Sequence, residues 1–440
     1  MPRSIDRTGP NVRPMGSFSA RALSAIPVIG ICYVLLILPF IPTDASAGDR
    51  IENILFWPGA AMITLALVFQ NRKQIDHRFF RSIPAASLIA YLGFAAASVT
   101  WAFNSELAFS RIVVEVLAIV LVFLPFALPI QTKHTIHVIY LCYAAALLVG
   151  AGFVLTTPPS PIGHAGYFQH KQELGLLAAV GIILSGHQLL HRGWWRIAGA
   201  STAALAFWLV LESQSKSALA LAFVAIICSG LTLLLCKKTR LTPAYFVAGV
   251  VVASMFFSNP IERLGYRFYG DPSLTGRTGI WGFIESQISQ KPWLGWGFHS
   301  YYFVPNSPHN SAPGYIKDMP SSHDGYMDVR LETGRIGYWI FLIFVYSSLH
   351  LIENVRRKDP VLAWCFLSIA LFAALINLLD THWLTLTHFW LLYLVIVAES
   401  VRFSLPATTS AVPALAFRVG SNKSTIVRAR VAGRARNTTG

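Results

Sequence analysis

The chain has 440 residues, of which 54% are apolar and only 12% charged, against about 25% charged in a soluble domain. That balance excludes an ordinary soluble globule and points to a membrane protein, for which a domain count by length does not apply. The net charge of +15 sits in short segments between apolar runs and at the chain ends. No basic patch carries an aromatic stacking platform, so nucleic acid is not expected as a partner.

Arg3, Arg7, Arg13 and Arg21 precede an apolar stretch at about 24–41, and Ala45-Ser46-Ala47 follows it. The pattern resembles a secretory signal with a small-residue cleavage site. The run is long, however, and many others follow, so an uncleaved first helix is expected behind an N-terminal arm at 1–23. Further apolar runs lie at about 53–69, 84–101, 112–130, 136–155, 174–190, 197–211, 217–235, 243–257, 336–352, 361–379 and 383–401. Several are shorter than the ~20 residues of a comfortable span, so their edges are loose by a few residues. Together they predict an all-α bundle of about twelve transmembrane helices, nine in 24–257 and three in 336–401. Five cysteines lie within or at the ends of these runs, which argues against a disulfide framework or a CxxC metal site.

Basic residues mark alternate loops. Arg72, Lys73, Arg78 and Arg81, then Lys133, Arg192 and Arg196, Lys237 and Lys238, and Arg356 to Lys358 fall on one side. The other short loops carry Asp44 to Glu52, Glu106 and Arg111, and Glu212 with Lys216. The positive-inside rule then places both termini in the cytoplasm, including a basic tail at 402–440 that reads as disordered. Arg111 and Glu115, four apart at the start of a helix, read as a structural pair.

One segment breaks the rhythm. Residues 258–335 form a long polar stretch on the outer side, and loops of that length usually carry function. Within it, Ile280, Trp281, Ile284 and Ile288 recur at helical spacing up to Lys291-Pro292, which predicts a short amphipathic helix lying on the membrane face. Arg277 stands at its N-terminal end, where free N–H groups, the helix dipole and a planar guanidinium could hold a diphosphate. Trp293-Leu294-Gly295-Trp296-Gly297-Phe298 suits a tight turn against a sugar ring or lipid, or plain interfacial anchoring. His323, in Ser322-His323-Asp324-Gly325-Tyr326, can accept a proton near neutral pH. His299 and His309 lie near it in sequence, but the spacing matches no standard ligand pattern, and no metal is expected. Two further outer segments, His170-Lys171-Gln172-Glu173 and Ser213-Gln214-Ser215-Lys216, put cations close to the membrane surface, a default functional hypothesis.

Gly276-Arg277-x-x-x-Trp281, Pro292-x-x-Gly295-x-Gly297, His323-x-x-Tyr326 and Glu332-x-Gly334-x-x-Gly337 resemble the signature of the bacterial O-antigen ligase/polymerase family. The segment His170-Lys171-x-x-Leu174-Gly175 is typical of its exopolysaccharide-polymerase branch. The resemblance implies a membrane glycosyltransferase of C type in the bacterial inner membrane, with a large periplasmic loop and no nucleotide sugar, metal or cofactor. The donor it implies is an oligosaccharide on undecaprenyl diphosphate. The partners it points to are the lipid membrane and the chain-length regulator and flippase of the export machinery. The family's arginine and histidine carry over to Arg277 and His323 as catalytic positions, with Lys216, Lys171, His170, Trp281 and Glu332 as expected substrate contacts. Lys216 stands where the family has arginine and loses the bidentate fork. Gln172 and Asp324 replace asparagines. A ligase joining glycan to lipid A core shares these features. A transporter and a non-catalytic assembly subunit are the alternatives of another class.

Overall fold

The structure is a computed structural model describing residues 17–41, 51–239, 241–248 and 277–405. It is all-α and polytopic, and no strand occurs among the described residues. In chain order the helices are α1 Ser17–Leu36, α2 Ile51–Gln70, α3 Ile83–Ser98, α4 Ser105–Phe123, α5 Thr132–Thr156, α6 Lys171–Leu189, α7 Trp194–Glu212 and α8 Lys216–Thr239. Then come α9 Arg277–Gln290, α10 Gly325–Lys358, α11 Pro360–Ile376 and α12 His388–Ser404. Seven helices among the described residues are by themselves long and apolar enough to cross a membrane. The expected span at 243–257 begins as helix at 243–248, and its remainder lies outside the described residues, as do 258–276 and the basic tail from 406.

Burial sorts the helices. Every residue of α12 from His388 to Val401 is buried, as expected of a helix that is apolar all round and surrounded by protein. It packs against α1, α4, α10 and α11. By contrast α2 and α8 expose Leu55, Met62, Phe69, Ile227, Leu231 and Leu234, side chains suited to lipid. Local signals set the boundaries. Asn104 caps α4 by accepting from Leu107 N at 3.0 Å. Asp359 caps α11 the same way from Leu362 N, with Pro360 at the first helical position, where its missing N–H costs nothing.

Two expectations need correction. The runs at 361–379 and 383–401 are in fact α11 and α12, and residues 377–387 between them form a loop. Trp383, Leu384 and Leu386 made that stretch look helical, but Asn377 Oδ1 accepts from His382 N and Trp383 N at 2.8 and 2.9 Å and Leu384 takes φ +57°. Secondly, the apolar stripe of α9 does not lie on a membrane face. Ile280, Ile284 and Ile288 pack into a separate small core with Trp296, Tyr301, Ile316 and Leu331.

The glycine-rich motifs have a backbone explanation. Helix α10 breaks at Gly334, at φ +60° and ψ −166°, a conformation essentially confined to glycine. The segment 292–297 fills the break. Arg335 N donates to Pro292 O, Trp296 N to Leu331 O and Gly297 N to Glu332 O, each at 2.9 Å. A Cβ on Gly334 would sit 2.3 Å from Trp293 C, and one on Gly295 2.4 Å from Glu332 O. The turn therefore presses its backbone on α10, while Trp293 and Leu294 stay exposed and Trp296 stacks on Phe103 at 5.1 Å. Gly334→Ala should lower the melting midpoint of detergent-purified protein, since the strained backbone alone costs ~1–3 kcal/mol. Gly282→Ala, with open space at its Cβ, should leave the midpoint unchanged or slightly raised. Equal midpoints would refute this account.

Candidate active site

A cavity of about 870 Å³ opens where one set of helix ends meets the long loop. Its wall is built from the N-terminal halves of α4 and α10, the start of α6, the loop stretches at 299–303 and 319–323, and the loop 380–387. These helix ends lie opposite the basic ones. There Arg402 donates to Ile130 O at 2.6 Å, tying the end of α12 to the start of α5, and Lys358 donates to Phe403 O at 2.7 Å. The cavity thus sits on the side that the alternation of charged loops assigns to the outside.

Three of the expected site residues meet in this wall: His323, His170 and Glu332. His323 adopts φ +56° directly before Asp324, which caps α10 by accepting from Tyr326 N and Met327 N at 2.9 and 3.0 Å. Aspartate caps as well as asparagine, so this departure from the family pattern leaves the geometry intact. His323 Nδ1 lies 3.4 Å from Asp380 Oδ1. His170 caps α6 through Nδ1, accepting from Gln172 N at 3.3 Å, and burial pushes its pKa down. Glu332 is buried, 3.7 Å from His299 Nδ1.

The other four do not line the cavity. Lys171 donates to Ile162 O at 2.6 Å, and Lys216 is exposed at the start of α8. Arg277 is half-buried at the N-terminal end of α9. Trp281 has a bracing role, its Nε1 donating to Ser322 O at 3.1 Å one residue before His323. Further along α9, Glu285 pairs with Arg330.

Several wall residues escaped the sequence reading. Arg111 faces the cavity and donates to the carbonyl of His299, while Glu115 accepts from Trp390 Nε1 at 2.6 Å. Asp328 accepts from Tyr302 Oη and Thr381 Oγ1, both at 2.6 Å, and from Ser322 N at 3.1 Å. One buried carboxylate thereby ties two stretches of the long loop to the 377–387 loop. Asp380 and His382 come from the misread 377–387 loop. Burial would raise the pKa of Asp380, but the hydrogen bond with His323 and the nearby His382 imidazole outweigh it and hold the carboxyl well below its ordinary range. Burial disfavours the His382 imidazolium, and Asp380 more than restores it, so its pKa lies above the ordinary histidine value. His299 goes the other way, lowered by burial despite its hydrogen bond to Leu384 O. A sequence signal existed for Asp380 and His382, since two ionisable residues two apart at an apolar junction are costly unless used. His299 and His309 separate: His309 packs within the loop against Tyr302 and Phe303. Among the described residues no three His, Cys, Asp or Glu side chains form a metal-ligating group.

Asp328→Ala should lower the melting midpoint, because it strands three donors that each cost ~1–3 kcal/mol when unsatisfied. Asp328→Asn, which keeps an acceptor oxygen, should recover part of the loss. Indistinguishable midpoints for wild type and Asp328→Ala would sink the tethering role.

The model of the O-antigen ligase family matches residues 201–342, a stretch holding Lys216, Arg277, Trp281, His323 and Glu332 but not Arg111, Asp380 or His382. Exopolysaccharide production protein ExoQ of Rhizobium meliloti (strain 1021) is 27% identical over 187 residues, 39% of this chain and 42% of that protein. A Rickettsia typhi protein named as a polysaccharide ligase is 30% identical over 131 residues, 28% of this chain and 32% of its own. A Rickettsia felis protein named likewise is 34% identical over 93 residues, 20% of this chain and 23% of its own. The chain thus matches less than half the length of each of these relatives. Residues 201–342, with the motifs they hold, are thus similar to the O-antigen ligase family, and they sit in an apolar helical bundle of a multi-pass membrane protein.

Proposed function

We propose that the protein polymerises oligosaccharide repeat units carried on undecaprenyl diphosphate, at the periplasmic face of the inner membrane with both termini cytoplasmic. The observation that carries the reading is the His323–Asp380 pair, 3.4 Å apart, on the wall of a cavity at the outer ends of an apolar helical bundle. A histidine whose Nδ1–H is held by a carboxylate presents the Nε2 lone pair as a base. In this reading His323 takes the proton from an acceptor sugar hydroxyl. The hydroxyl oxygen bonds to the anomeric carbon of the donor, and the bond from that carbon to the phosphate oxygen breaks. Undecaprenyl diphosphate leaves with the bonding electrons, so a single displacement inverts the anomeric centre. The leaving group is already good and needs neutralised charge rather than an acid. Arg111 in the wall supplies positive charge, backed from outside the wall by Arg277, Lys216 and Lys171. Chain-length regulator and flippase are the partners such a step needs.

A second reading, transfer of a finished glycan to lipid A core, is favoured by the names of the Rickettsia relatives. Glycan ladders from a deletion strain separate the two. Loss of long chains with single repeats retained means polymerase, whereas lipid-linked chains left off the core mean ligase. In the complemented strain, His323→Ala and Arg277→Ala should each abolish polymer while the protein still accumulates, and normal ladders in both would overturn the assignment. Because side chains carry the charge neutralisation here, membranes stripped with a chelator should keep polymerising. Activity lost to the chelator and restored by magnesium would contradict that part.

A further inference from the structure

One carboxylate stands between two imidazoles. Asp380 Oδ1 lies 3.4 Å from His323 Nδ1, and Asp380 Oδ2 lies 3.6 Å from His382 Nε2. The two histidines differ in setting. The His323 side chain is 23% exposed and that of His382 7%. His382 is fixed by its backbone N–H to Asn377 Oδ1 and by its ring edge against Phe389 at 6.1 Å. It reaches the cavity wall, but Asp380 lies between it and His323.

We propose that His382 is a positioning residue that shares the Asp380 carboxylate with His323 and thereby weakens the hold of His323 on a proton. The charged and titratable groups facing His382 are Asp380 from its own loop, Glu173 from the start of α6 and His388 from the start of α12. His170 faces the Asp380–His323 pair from the N-terminus of α6. Two carboxylates facing one imidazole favour its protonated form, and a nearby like charge disfavours a second one. A proton arriving on His323 therefore meets a carboxylate already paired with a cation. Asp380 still fixes the orientation of the His323 ring, yet it does not trap the ring as a permanent imidazolium. A base must be unprotonated to act, so the arrangement extends its working range toward lower pH. The periplasm follows the pH of the medium, which makes that extension useful there.

The inference rests on the reading of His323 as base, but its test need not. Purified protein is labelled with diethyl pyrocarbonate, which reacts only with unprotonated imidazole, and the labelling of His323 is followed by mass spectrometry across pH. The midpoint should rise by about one unit in His382→Gln, and His382→Asn serves as the second variant should the first fail to accumulate. Asp380→Asn should move the midpoint the opposite way, whereas a general loosening of the loop would move both variants in one direction. An unmoved or lowered midpoint in the His382 variants overturns the proposal. In cells complemented with the same variants and grown at graded medium pH, the acid limb of polymer formation should shift upward with the labelling midpoint. Shifted labelling with no polymer change in these variants or in His323→Ala would leave the shared carboxylate standing and remove the catalytic reading.

Discussion

The contact on which the site depends is the backbone clasp between Gly295 and Gly334. A helix interrupted at its outer third exposes carbonyls that a membrane protein has to satisfy internally. Here the 292–297 turn supplies the donors, and only glycines let the two backbones approach that closely. The clasp bolts the long loop onto α10. His299 follows the turn by two residues and Glu332 precedes the break by two, so one junction brings both to the same wall.

The wall is then stitched by carboxylates rather than by an extended apolar core. Asp328 gathers the strands of loop around Tyr302, Ser322 and Thr381, and Asp380 gathers two histidines. Buried charges of this kind persist only when paired and hydrogen-bonded. Each of these acids has its partners, and for each at least one comes from a segment more than 50 residues away. This is why the cavity is a property of the whole bundle and not of the loop, although the loop holds most of the recognisable motifs.

The correction at 377–387 has a physical lesson. Asn377, Asp380, Thr381 and His382 are interleaved with Leu378, Leu379, Trp383, Leu384 and Leu386. By hydropathy such a stretch reads as the ragged edges of two spans. Its backbone turns because Asn377 accepts from two amides ahead of it, a local side-chain bond that competes with helix. Trp383 and Leu384 are buried while Leu378 is exposed, and Asp380, Thr381 and His382 line the cavity together with Trp383, Leu384 and Leu386. Arg111 and Glu115 have the spacing of a helix pair, and Trp390, 275 residues further along the chain, donates a hydrogen bond to the acid.

The sequence by itself determined the membrane class, the alternation of charged loops, the helix α9, and the likeness of residues 201–342 to the O-antigen ligase family. Those features are written in composition, period and short motifs, which are local. The motifs of the resemblance also singled out His323, His170 and Glu332, which line the cavity. What only the tertiary structure decided is which charges share a space. Arg277, Lys171, Lys216 and Trp281 lie near the expected surface without lining the cavity, while Arg111, Asp328, Asp380 and His382 enter it. That outcome is set by where long-range packing aims each side chain.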